Sequence, residues 1–191
     1  IIACGTSKHA AMVGSFLLEQ FSGIPTNVFY ASEFRYSPPP LLPNTLTIGV
    51  TQSGETADTI AAIDMEIKRR SSKEDKKFKP NLIAITNRKE SSIGRQVLNI
   101  IDICAGIEVG VAATKTFFGQ LLSFYGLAIK FAQIKGTQSS DEIDKLITEL
   151  IKLPPLIEDL LEQHNESSEK LAHDFFNIKD VIFLGRGINY P

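Results

Sequence analysis

The 191-residue sequence has no tryptophan, two cysteines and three histidines. Cys4 and Cys104 each sit at the end of an apolar run and are too few for a secreted disulfide framework, so both are expected as buried thiols in a reducing cytoplasm. His9, His164 and His173 are scattered without metal-ligand spacing, which leaves them packing or surface roles; no metal and no cofactor are expected. No apolar run is long enough to cross a bilayer as a helix. Lys and Arg (20) are balanced by Asp and Glu (22), for a net charge of -2, and this lacks the basic excess that nonspecific nucleic-acid binding requires. Neither a membrane nor a nucleic acid is expected as a partner.

What remains is a chain that is 43% hydrophobic, enough for a real core. Leu46-Thr47-Ile48-Gly49-Val50 reads as a short buried strand, and after it Ala57, Ile60, Ala61, Ile63 and Ile67 recur at helical spacing. Thr51-Gln52-Ser53-Gly54-Glu55-Thr56 therefore joins a strand's carboxyl end to a helix's amino end, where free N–H groups and the helix dipole favour an anion. Thr51, Ser53 and Thr56 add hydroxyls, Gln52 adds an amide, and Gly54 permits close backbone approach. The same residues also fit an ordinary helix start, with Thr56 or Ser53 as cap and Glu55 on the dipole.

The strand, hydroxyl loop, helix order recurs. Ile1–Cys4 runs into Gly5-Thr6-Ser7 and a helix with Met12, Val13, Phe16, Leu17 and Phe21 on its apolar side, ended by Gly23-Ile24-Pro25. Asn27–Ala31, Leu82–Thr86 and Ile100–Cys104 supply further strands, with Ser32 as cap of a short helical turn and Asn87, Ser91 and Ser92 marking another. Nearly all-apolar strands alternating with helices predict a five-stranded parallel sheet covered on both faces, a doubly wound α/β three-layer sandwich. In such sheets ligands bind beyond the strands' carboxyl ends, where Gly5–Ser7 and Thr51–Thr56 both lie. Two hydroxyl loops on one edge can converge on one small anion.

A third candidate wall, Glu108-Val109-Gly110-Val111-Ala112-Ala113-Thr114-Lys115, follows the fifth strand and opens a long helix that Gly136 ends. Its plain reading is a loop with Thr114 as cap and Lys115 solvated. Arg69–Lys79 reads as a solvated helix end and loop. Residues 1–137 are expected to form one domain and 138–180 a helical connector, Asp141–Leu153 and Leu156–Asn177, broken at Pro154-Pro155. Val181–Leu184 then reads as a strand before Gly185-Arg186-Gly187, so 181–191 is expected to open a second copy of the fold. Starting directly in a strand and stopping just past another, the chain is expected to be a piece of a longer protein.

Cys4–Ser7, Ala31–Tyr36, Thr51–Asp58 (TQSGETAD) and Glu108–Lys115 (EVGVAATK) together resemble the sugar isomerase (SIS) superfamily, and more narrowly the isomerase part of the glucosamine-6-phosphate synthase family. The resemblance implies tandem SIS subdomains, a preceding glutaminase domain and a homodimer, with fructose 6-phosphate or glucosamine 6-phosphate as ligand. It implies that Thr51, Gln52, Ser53 and Thr56 hold the sugar phosphate, that Thr6 and Ser7 line the same pocket, and that Val111 offers backbone to the sugar. Ala113 stands where the family usually has a ligand-contacting serine, so one hydroxyl is missing. The family's glutamate, histidine and lysine for proton transfer and Schiff-base chemistry match nothing here; they are expected beyond Pro191. Other readings are a noncatalytic phosphosugar sensor and a flavodoxin-like carrier, whose phosphate loop would follow the first strand.

Overall fold

The computed structural model describes residues 1–191. Its sheet is wholly parallel and five-stranded: β1 (Ile2–Ala3), β2 (Phe29–Tyr30), β3 (Leu46–Val50), β4 (Asn81–Thr86) and β5 (Asn99–Asp102), in the order β2-β1-β3-β4-β5. The register sets Ala3 beside Val50 and Val50 beside Ile85. The chain leaves β1 in one direction to form β2 and returns across it to form β3, so the topological switch point falls between β1 and β3.

Both faces of the sheet are covered, which is why the strands read as continuous apolar runs. On one face α1 (Gly5–Ser22) and α5 (Lys115–Lys135) bury Ala11, Leu17, Leu18, Phe124 and Ala128 against Ala3, Ile48, Val50 and Ile85. On the other, α2 (Ala31–Phe34), α3 (Ala57–Ser71) and α4 (Ser92–Gln96) bury Phe34, Ala62, Ile63 and Ile93 against Ile2 and Ala84. The expected three-layer sandwich is present. Gly23 and Gly136 end α1 and α5 in the left-handed conformation, with φ 61° and 64°.

Several local expectations need correction. Ser32 lies inside α2 and caps nothing, because the helix begins one residue earlier, after Tyr30. Arg69 and Arg70 are not solvated: Glu66 and Arg70 are buried and paired at 2.7 Å, and the two arginines also donate to the carbonyls of Pro39 and Leu42, which pins the proline-rich connection to α3. Cys104 is exposed, and its φ of 50° belongs to a tight turn after β5 in which Asp102 Oδ1 accepts from the Cys104 N–H.

Beyond Gly136, α6 (Ser140–Ile151) opens on a capping box in which Ser139 and Glu142 satisfy each other's backbone N–H. The helices break at Lys152, and α7 (Leu153–Phe175) takes Pro154 and Pro155 into its first turn, where a missing N–H costs nothing. The expected strand over 181–184 is not formed; its four apolar side chains are exposed, since a strand needs a paired neighbour and the sheet ends at β2 and β5.

Candidate functional site at the sheet switch point

The loop after β3 is held from three sides. Thr51 is buried; its N–H donates to the Ile85 carbonyl, and its hydroxyl lies 2.9 Å from that of Thr56 and accepts from the Gly54 N–H at 3.3 Å. The Gln52 carbonyl accepts from the Asn87 N–H at 3.1 Å, and the Gly54 carbonyl accepts from the Ile93 N–H at 3.1 Å. Since a trans peptide points its N–H opposite its carbonyl, fixing the Gln52 carbonyl toward β4 turns the Ser53 N–H away from β4. The backbone N–H groups of Gln52, Ser53 and Thr56 find no acceptor within the chain. Gly54, at φ 70°, is required twice over: the conformation disfavours a side chain, and a Cβ would lie 1.9 Å from Ser91 Oγ.

Thr56 occupies the N-cap position of α3 but makes no side-chain cap, because its hydroxyl is turned to Thr51. Ser53 Oγ accepts from the Glu55 N–H instead, and the Glu55 carboxylate leaves the helix to accept from the Ser92 N–H at 2.8 Å. The ordinary helix start that these residues also fit is therefore absent. At the neighbouring strand α1 likewise begins with no side-chain cap, after Cys4; it has no acidic residue in its first turn, whereas α3 has Asp58, which is paired with Arg35 at 3.5 Å. Two helices of 18 and 15 residues thus present uncapped N-termini from adjacent strands, and their dipoles and free donors favour an anion between them.

Thr6 and Ser7 form part of the first turn of α1 and not a separate loop. Ser7 is buried, and its hydroxyl oxygen accepts from Gln120 Nε2 of α5 at 2.9 Å. Gln52 and Ser53 also face a second space, a cavity of about 510 Å³ bounded by Asn87, Arg88, Asp102, Cys104, Gly106 and Glu108. Asn87 joins its walls. The Asn87 side chain donates to the Gly106 carbonyl and accepts from the Ala105 N–H at 2.9 Å, while its backbone holds Gln52.

Val111 and Ala113 are not drawn into this cavity; the Val111 side chain is fully exposed and Ala113 is half-buried. Their loop is closed by Glu108. One carboxylate oxygen accepts from the Thr116 N–H (3.1 Å), the Thr116 hydroxyl (2.9 Å) and the Thr114 N–H (3.2 Å), capping α5 from six residues upstream. Those bonds, led by the Thr116 N–H and hydroxyl, hold the Glu108 carboxyl below its ordinary range. Thr114, the expected cap, makes no side-chain cap. Gln120 and Asn87 carried a signal only as polar residues in or beside apolar runs.

The fold is that of a doubly wound parallel α/β domain with two uncapped helix N-termini at its switch point. Residues 1–130 match the SIS domain, and the chain belongs to that family. It is 56% identical over its full length to a glutamine–fructose-6-phosphate aminotransferase (isomerizing) of Thermosynechococcus vestitus, and equally to that of a Synechocystis species; it spans about 30% of the length of these curated relatives. Among solved structures, the C-terminal domain of glucosamine-fructose-6-phosphate aminotransferase from Francisella tularensis matches 98% of this chain at 30% identity with a TM-score of 0.89, and this chain covers 50% of it.

Proposed function

We propose that this chain is the phosphosugar-holding portion of the isomerase part of a glutamine–fructose-6-phosphate aminotransferase, and that its ligand is fructose 6-phosphate or glucosamine 6-phosphate. The observation that carries the reading is the pair of adjacent uncapped helix N-termini, with the free N–H groups of Gln52, Ser53 and Thr56 between them. A phosphate there accepts from those groups and from the hydroxyls of Ser53 and Thr56, with Thr51 acting through Thr56 by donating its own hydroxyl proton to the Thr56 oxygen. Thr6 and Ser7 form the opposite wall, Gln52 flanks the sugar, and the backbone at Val111 contacts its hydroxyls. Ala113 offers no hydroxyl.

In the intact enzyme fructose 6-phosphate receives ammonia from glutamine, and the ketose imine isomerises to glucosamine 6-phosphate by general acid–base proton transfer. The acid, base and Schiff-base residues lie outside this chain, which holds the substrate and by itself does not turn it over. Residues 1–137 are the SIS subdomain, 138–180 the connector, and 181–191 the first strand of a second SIS subdomain that supplies its pairing partners. The intact protein also has a glutaminase domain, and it works as a cytoplasmic homodimer. The strand order is also that of flavin mononucleotide carriers, but here the phosphate loop follows β3 and not β1.

Thermal unfolding with fructose 6-phosphate, glucosamine 6-phosphate and flavin mononucleotide tests this. A phosphosugar at about 100 times its Kd stabilises the chain by about 2.7 kcal/mol. Stabilisation by the flavin alone contradicts the proposal.

A further inference from the structure

The α1–α5 interface is built from apolar and small side chains, Phe124 packing directly on Gly14, except at Gln120. Gln120 is 1% exposed, donates from Nε2 to Ser7 Oγ at 2.9 Å, and leaves its Oε1 buried with no partner. A leucine or methionine would fill this position without stranding a carbonyl oxygen, so stability does not account for the amide.

The bond does fix what Ser7 can do. With an amide N–H donated to its oxygen, the Ser7 hydroxyl has its proton left over, and no atom of the chain accepts it. Ser7 stands in the first turn of α1, beside the loop after β3. We infer that Gln120 is a positioning residue that acts through Ser7, holding the hydroxyl as a dedicated donor to a sugar-phosphate oxygen at the switch point. This rests on the phosphosugar reading above. A donor oriented before the ligand arrives loses little freedom when it binds.

The test is titration of the chain with fructose 6-phosphate, followed by NMR and paired with melting curves. Gln120→Leu melts at or above wild type yet binds about tenfold more weakly. Ser7→Ala weakens binding similarly, and the Ser7→Ala/Gln120→Leu pair binds no more weakly than Ser7→Ala, because Gln120 works only through Ser7. Gln120→Glu guards against a misfolded leucine variant: ionised, it can only accept, so it binds weakly, and as pH falls and the carboxyl regains its proton its affinity approaches that of wild type at the same pH. Unchanged affinity in Gln120→Leu, additive losses in the double variant, or a pH-independent loss in Gln120→Glu overturns the inference alone. No binding by the wild-type chain overturns the phosphosugar reading and this inference with it.

Discussion

The hydroxyl oxygens of Thr51 and Thr56 lie 2.9 Å apart at the head of α3, and that contact takes Thr56 away from the capping role its position would give it. The helix N-terminus is left without a side-chain cap. Thr56→Val removes one of the pair, and Ser53→Ala removes a neighbouring donor. A hydrogen bond to a charged group contributes about 1.5 to 3 kcal/mol, so each variant is expected to weaken phosphosugar binding roughly tenfold or more with the fold intact. Isothermal titration checks this; unchanged affinity in both variants contradicts the assignment.

Gly54→Ala is expected to damage both fold and site. The added Cβ meets Ser91 Oγ at 1.9 Å and Ser91 Cβ at 2.4 Å, on backbone at φ 70°. The loss of stability should exceed about 1 kcal/mol. Removing only the hydroxyl, in Gly54→Ala/Ser91→Ala, should not restore it, because the second clash and the strained φ persist. Full recovery of the melting temperature in that double variant would refute the packing argument.

Glu108 predicts an acid-sensitive loop. Its folded pKa is lowered, chiefly by the Thr116 N–H and then the Thr116 hydroxyl, so its contribution is fully present above the ordinary carboxylate range and is lost as pH falls through the lower folded value. Glu108→Gln keeps a neutral acceptor for the Thr114 and Thr116 amides, so it should shift their NMR resonances at neutral pH and abolish their acid titration. If both amides titrate in the variant as in wild type, Glu108 is not the cap.

Gly14→Ala tests the packing that brings Gln120 to Ser7. An added Cβ would lie 2.4 Å from the Phe124 ring, which is fully buried, and overpacking of this kind costs about 1 to 3 kcal/mol. Denaturant unfolding should show that loss. A variant as stable as wild type would mean that α1 and α5 can separate freely.

The sheet was legible because parallel strands buried on both faces have to be continuous apolar runs, as Leu46–Val50 and Leu82–Thr86 are. The loop from Thr51 to Thr56 was legible because it is a contiguous polar stretch between an apolar strand and a helical pattern. What escaped were pairings across long separations. Gln120 and Ser7 are 113 residues apart, and nothing near either shows the other. The buried Glu66–Arg70 pair lies on one helix, but its burial depends on a proline-rich connection 28 residues upstream. Val181–Leu184 has the composition of a strand and no neighbour to pair with, and composition cannot report that.

In the proposed site a phosphate sits between the N-termini of α1 and α3. The most direct measurement is an NMR titration of the isotope-labelled chain with fructose 6-phosphate against unphosphorylated fructose. The expected result is saturable shifts of the Gln52, Ser53, Thr56 and Ser7 amides with the phosphorylated sugar and none with fructose, and their loss in Ser53→Ala. Equal responses to both sugars, or shifts confined to residues away from these two helix ends, would contradict it.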